Sequence, residues 1–281
     1  MRYNGRNEKR KADLTMKKFA SAVLTAALLF SLCACGESGT SYGVKNIQTL
    51  ETQNYYVAFR NNDPVYYYVV GALQVLSAEG KVGELSAKWL GSPNALDIKG
   101  DATALDNIPE PDNRTLLVGV DTDSFPFVYI SNGTFWGLDI ELAQAVCDKL
   151  GWTLKALSIK KENIYQELAS GNVDCAWGGL AMNEKDIDKG VYTVYGPIIE
   201  NEICIAARAG SVVSSLKNLS MAMPSTTEAM EALQADKSIV EKLGNVYRLQ
   251  GGTTECFEYL YSGKCDVVLT DSTALLYYNC H

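Results

Sequence analysis

TLLVGVDTDSFPFVYISNGTFWGLDIELAQAVCDKL, residues 115–150, decides the fold class. Thr115–Val120 is an unbroken apolar run and reads as a buried strand. Leu138–Leu150 follows as a helix, with Leu142, Val146 and Leu150 at helical spacing. A strand apolar on both faces, then an amphipathic helix, is the unit from which covered parallel sheets are built. The alternation continues downstream. Strand Thr153–Ile159, helix Asn163–Ser170 closed by Gly171, and strand Val173–Trp177 ending at Gly178 and Gly179 come next. Strand Glu202–Arg208, strand Ser220–Met223 and helix Thr226–Ala235 follow. Strand Val246–Leu249, helix Thr253–Ser262, strand Cys265–Thr270 and helix Ser272–Tyr278 complete the series. An α/β fold is expected, with ligands bound outside the carboxyl ends of the strands.

The chain before residue 115 reads differently. Tyr55–Arg60 is a strand, Pro64 starts a helix stopped by Gly80, and Gly83–Leu90 is a second short helix. Ser92 to Asn113 is rich in Asp, Asn, Pro and Gly and reads as a linker. Earlier still, Met16–Cys35 runs MKKFASAVLTAALLFSLCAC. Lys17 and Lys18 form a basic start, and Phe19–Leu32 is an apolar run too short to span a bilayer of ~30 Å comfortably. Leu32-Cys33-Ala34-Cys35 resembles a bacterial lipobox, which implies lipid on Cys35 and attachment to the cell membrane. A plain signal peptide and a buried apolar helix are the rival readings. Gly36–Ser41 reads as a polar tether. Residues 1–15 are polar, precede the better start at Met16 and are set aside.

Composition narrows the function. The 281 residues carry a formal charge of −8, and residues 1–35 hold seven Lys/Arg and two Asp/Glu, so the remainder carries −13. Such an acidic body repels phosphates, and no nucleic-acid partner is expected. The one histidine is His281, so a Ser-His or Cys-His mechanism has no plausible base. Cys147, Cys175, Cys204, Cys256, Cys265 and Cys280 contain no C-x-x-C pair, so neither a metal site nor another cofactor is expected. Cys147, Cys175 and Cys204 sit among apolar residues and read as small buried hydrophobes, while a Cys256–Cys265 bridge is left open.

Four segments carry a resemblance to the polar-amino-acid family of periplasmic solute-binding proteins of ABC transporters. VGVDTDSFPFVY (118–129) resembles the family's opening strand and turn, and GLDIELAQAV (137–146) its first helix. GNVDCAWGGLAMNEKD (171–186) and SGKCDVVLTDSTALLYY (262–278) resemble two later segments, in the family's order. The resemblance implies two lobes of mostly parallel sheet flanked by helices and joined by a hinge. One departure stands out. YYVAFRNNDPVYYYVVGALQVLSAEGKVGELSAKWLG (55–91) resembles the family's last segment, yet comes first. A circular permutation accounts for this, since joining neighbouring termini through a loop such as 92–113 adds only slowly to closure entropy. A truncated tandem gene and an arm exchanged between subunits are the rivals. The expected division is 36–54 as tether and possible lobe-two edge strand, 55–203 as lobe one and 204–281 as lobe two.

The resemblance also implies a ligand site between the lobes. Asp121 follows the first strand, Phe125 walls the cleft, and Gly178 and Gly179 present backbone to the ligand. Ser225, Thr226 and Thr227 open a lobe-two helix that favours an anionic group, and Asp271 accepts an ammonium. Helix capping is the plainer reading for Ser225, Thr226, Thr227 and Asp271, and core packing for Phe125 and Phe127. The family's carboxylate-binding arginine is replaced by Asp186, which would repel a carboxylate. Lys161 is either a substitute positive charge or a solvated surface residue. The expected ligand is thus small and polar, and cationic or lacking a free α-carboxylate. The implied role is delivery of this solute to the transmembrane subunits of an ABC permease. A dehydratase-like enzyme on the same fold, drawing on Asp121, Glu184, Asp186 or Asp271, is the first alternative; a sensory or degenerate binding module is the second.

Overall fold

A computed structural model describes residues 43–182, 187 and 189–281, apart from the side chain of Thr227. Cys35, the signal, and Glu184, Lys185 and Asp186 lie outside the described residues.

Two long strands organise everything else. β1 (Val44–Phe59) and β7 (Thr193–Arg208) have 16 residues each and pair antiparallel from Val44↔Arg208 to Phe59↔Thr193. At about 3.3 Å per residue such a ribbon spans roughly 50 Å. Register shifts at Asn46/Gln48, Thr49/Glu51 and Tyr55/Val57 bend and twist it. The two ends of β1 differ in composition and burial. Tyr55–Phe59 is apolar and fully buried, whereas Glu51, Thr52 and their neighbours alternate between half-buried and exposed.

One eight-stranded sheet grows from this ribbon, in the order β5 (Thr153–Ser158), β2 (Thr115–Val120), β6 (Cys175–Ala176), β1, β7, β10 (Val267–Asp271), β8 (Ser220–Pro224) and β9 (Asn245–Leu249), while β3 (Tyr129–Ser131) and β4 (Thr134–Trp136) pair apart from it. On one side β2, β5 and β6 run parallel, and β6 meets the Ala58–Phe59 end of β1. On the other side β8, β9 and β10 run parallel, and β10 meets β7 at Ile203–Ala206. The parallel trios sit at opposite ends of the shared ribbon. The fold is therefore mixed α/β, with two sheet halves joined by two crossing strands.

Helices cover both halves. α1 (Val65–Ala78), α2 (Lys81–Leu90) and α3 (Leu138–Leu150) pack their apolar faces over the first half with Phe59, Leu116, Val118 and Trp177. α4 (Ile164–Ser170) closes that half's other face. α5 (Thr227–Ala235), α6 (Lys237–Lys242), α7 (Gly252–Tyr261) and α8 (Ser272–Cys280) surround the second half. The opening arm closes on its own chain: β1 is the central strand between β6 and β7, and α1 and α2 lie over it.

Sequence periodicity undershot two strands. β1 and β7 are far longer than Tyr55–Arg60 and Glu202–Arg208, because cross-strand pairing carries them through polar stretches that show no apolar run. Residues 92–113 form no helix or strand, but they are packed rather than slack. Leu96 and Ile98 are buried, Asp97 N–H donates to the Ile198 carbonyl at 2.8 Å, and Trp152 Nε1 donates to the Asp112 carbonyl at 2.9 Å. Cys256 and Cys265 are both free and buried, and burial pushes their thiols up to about 12 and about 11. Cys147, Cys175 and Cys204 are likewise free and fill the core.

One glycine seats the loop that leads into the site. Gly137 stands just before α3 at φ +129°, and a Cβ there would lie 2.1 Å from the Phe127 carbonyl oxygen. The close approach lets the N–H groups of Leu138 and Asp139 donate to the carbonyls of Pro126 and Phe127, both at 3.1 Å. Gly137→Ala combines a disfavoured backbone angle with that clash. Urea denaturation is expected to show a loss of at least about 2 kcal/mol; a loss under about 0.5 kcal/mol contradicts this account of the turn.

Candidate functional site

The carboxyl ends of β2, β5, β8 and β10 meet around one cavity of about 530 Å³. Strands that lose their partners at a sheet end leave the following residues free to face a ligand. From the first half come Asp121, Asp123 and Ser124 after β2, and Lys160, Lys161 and Glu162 after β5. From the second half come Ser225, Thr226 and Glu228 after β8, and Thr270 and Asp271 at the end of β10. Among the described residues, five carboxylates line the cavity against two ammonium groups. That balance favours a cation over an anion.

Asp271 sits at the floor. It opens α8 but makes no side-chain cap; its Oδ1 instead accepts from Asn201 Nδ2 at 2.7 Å and Tyr55 OH at 3.4 Å. Burial pushes the carboxyl up to about 6, with Glu228 adding to the rise, while Asn201, Tyr55 and Lys161 hold it down. Asn201 is fully buried in the middle of β7, and its Oδ1 accepts from Thr273 Oγ1 at 3.1 Å. This fixes which end of the Asn201 amide points at Asp271. Asp121 accepts the Asp123 N–H at 3.0 Å. Burial raises its carboxyl, and Asp123 and Glu228 raise it further, against the pull of the Asp123 N–H and Lys161.

Glu228 links the halves. It lies in the first turn of α5, and its Oε1 accepts from Lys161 Nζ at 2.7 Å and from Gln53 Nε2 at 2.8 Å. Thr226 caps the same helix by accepting the Ala229 N–H at 3.2 Å. Ser225 Oγ accepts from Gln250 Nε2 at 3.1 Å. Thr227 is the first residue of α5. A carboxylate already stands at the positive end of this helix, so an incoming anion gains little there.

Three of the sequence-selected residues are placed away from the cavity. The Phe125 ring packs on Tyr129, Tyr277 and Tyr278, with its centroid 4.7 Å from that of Tyr277, and joins the two halves instead of walling the cleft. Gly178, at φ +127°, packs against Val120 and Val128. Gly179 donates its N–H to Asp139 Oδ2 at 2.9 Å and abuts Ser124 and Phe127. Both glycines shape the turn, and neither is among the residues that line the cavity. Asp139 is 2% exposed, and burial pushes its carboxyl up to about 7 against the opposing pulls of the Gly179 N–H and Trp177 indole. Phe127 is core, edge-on to Tyr55 at 5.3 Å.

Sequence reasoning missed Tyr55, Asn201, Glu228 and Thr270. An asparagine inside the run IIENEICIAA was the available signal for Asn201, since a polar group in a buried strand needs a partner. Glu228 carried no signal beyond its place in a first helical turn. No cluster of metal-ligating side chains occurs among the described residues. No helix among them is long and apolar enough to cross a membrane.

Comparison with known proteins finds the following similarities. Residues 116–242 match the model of the bacterial extracellular solute-binding proteins, family 3. The probable amino-acid-binding protein YxeM of Bacillus subtilis (strain 168) is 25% identical over 170 residues, 59% of this chain. The matched part spans 62% of that relative's length. Among solved structures, holo ArgBP from T. maritima is 26% identical, with 57% of this chain and 70% of that one covered at a TM-score of 0.41. A polar amino acid ABC uptake transporter substrate-binding protein from Streptococcus thermophilus is 23% identical, with 56% and 61% covered at 0.42.

Proposed function

We propose, taking as premise that this chain is a relative of the family 3 extracellular solute-binding proteins, that it captures a small polar cation between its two halves. It works outside the cytoplasm and hands the solute to the transmembrane subunits of an ABC permease. The signal pattern of Met16–Cys35 supports export and a lipid on Cys35 that keeps the protein at the membrane. Binding, without chemical conversion of the solute, is the role of its relatives by family and by description.

One observation carries the reading. Strand ends from both halves converge on a single cavity in which carboxylates outnumber ammonium groups. Among the described residues the chain crosses between the halves in two strands, β1 and β7, so closing on a ligand is a hinge motion, driven by tighter binding in the shut state. Asp271, Asp121 and Glu228 are the proposed cation acceptors. Each offers oxygens that accept only, so the ligand must bring the N–H donors.

A thermal-shift and calorimetry panel of agmatine, L-arginine, putrescine, L-glutamate and L-aspartate tests the proposal. One or more of the cations is expected to raise Tm in a concentration-dependent way. Asp271→Asn is expected to weaken that binding by at least about tenfold, because a charge-assisted contact is replaced by a neutral one. Tight binding of glutamate or aspartate, with no response to the cations, overturns the reading.

A further inference from the structure

The Lys161 ammonium reaches from the turn after β5 to the first turn of α5, where Nζ lies 2.7 Å from Glu228 Oε1. Gln53, on the shared strand β1, donates to the same oxygen at 2.8 Å. Its other amide atom, Oε1, is buried with no hydrogen-bond partner. Thr270 Oγ1 is also buried and unpartnered; Thr270 is 4% exposed and forms part of the cavity wall. Asp121 and Asp271 face the same cavity. Carboxylate and amide oxygens accept only, and a hydroxyl both accepts and donates. The surroundings of Lys161 are therefore rich in acceptors. One ammonium has three donors on a flexible stem and here serves a single carboxylate. A planar guanidinium brings five donors in a fixed fork, a better match to several acceptors on different walls.

The ion pair is also easy to give up. The Lys161 and Glu228 side chains are 33% and 43% exposed, so the pair is partly solvated. Pairs of this kind shift an equilibrium by only a factor of roughly two to five. A released lysine can lay its stem on the surface and return its head to water. Release also opens a contact between the halves.

We propose that Lys161 is a tethered stand-in for the soluble cation, holding Glu228 across the cleft until a guanidinium solute displaces it. The proposal rests on the solute-binding reading above and adds a specificity device to it. Lys161 sets how tightly cations bind, and it biases the two halves toward the shut arrangement before a solute arrives. A solute bearing only a carboxylate cannot take the place of Lys161 on Glu228, because like charges repel.

Lys161→Gln in the otherwise unchanged protein tests both parts. Without added solute, small-angle scattering of the variant is expected to shift toward a larger radius of gyration; a profile identical to the parent's overturns the latch. In calorimetry, agmatine and L-arginine are each expected to bind the variant about threefold tighter or more. If the variant loses affinity for arginine but not for agmatine, Lys161 grips the solute's carboxylate and the proposal is wrong. Lys160→Gln serves as the control, removing one positive charge from the same cavity wall. An equal gain there would mean that bulk charge, not displacement, sets the affinity, and would also overturn the proposal. Should no protein bind either probe, the solute reading falls and the exchange with it, while the scattering still decides the latch separately.

Discussion

Deleting Tyr55–Gly91 is expected to abolish cooperative unfolding. The segment contains the buried end of β1 and all of α1 and α2. Val57, Ala58 and Phe59 are completely inaccessible to solvent, and Val69, Leu73, Leu85 and Trp89 pack on the same face as Val57 and Phe59. Burying each large apolar side chain contributes about 1.5–3 kcal/mol. The summed loss exceeds the roughly 5–15 kcal/mol by which a whole domain is stable. The deletion also strips β6, and the Thr193–Ile199 part of β7, of their shared partner, leaving new sheet edges. Near-UV circular dichroism is expected to lose its fine structure and the urea transition its sigmoid shape. Phe59→Ala in the full chain provides a finer measurement, with an expected loss of about 3–5 kcal/mol. If the shortened chain melted as the parent does, or Phe59→Ala changed stability by under about 1 kcal/mol, the arm would not be the central strand described here.

Asp139→Asn is expected to remove a fall in stability between about pH 4 and pH 7. An aspartate in an unfolded chain loses its proton near pH 4. In the folded protein burial holds the Asp139 proton until about pH 7, despite the pulls of the Gly179 N–H and Trp177 indole. Below the unfolded value both states are protonated and folding carries no penalty. As pH rises through the interval the unfolded state alone releases its proton, so stability declines; above about pH 7 the penalty is complete. The difference corresponds to roughly 3–4 kcal/mol. Asparagine keeps an oxygen to accept the Gly179 N–H and has no charge to desolvate. The variant should therefore match the parent near pH 4 and exceed it by roughly 3 kcal/mol at pH 7.5 in urea titrations. Asp271, pushed up to about 6 by burial first and Glu228 second, contributes a smaller fall of the same sign that the variant retains. Parallel pH profiles for parent and variant would show that Asp139 is not the source.

Which features could be read early follows from how far each depends on distant residues. Thr115–Val120 and Leu138–Leu150 showed their strand and helix character because burial imprints a local period on the chain. Asp121 and Asp271 were pointed to by the resemblance, and both line the cavity at strand ends. Phe125 and the two glycines misled because an aromatic ring or a flexible backbone carries no direction in sequence. Their neighbours Tyr277, Val120 and Asp139 are what aim them.

By itself the sequence determined the α/β class, the alternation of elements and the acidic character of the body. All of these are local or additive properties, readable from periodicity and charge count. Tertiary structure alone decided that β1 and β7 run through both halves, because residues some 150 apart hydrogen-bond along their whole length. It alone also brought Lys161 to Glu228 and Asn201 to Asp271. Such pairs form where folding removes water from two groups at once, and no window of sequence contains both partners.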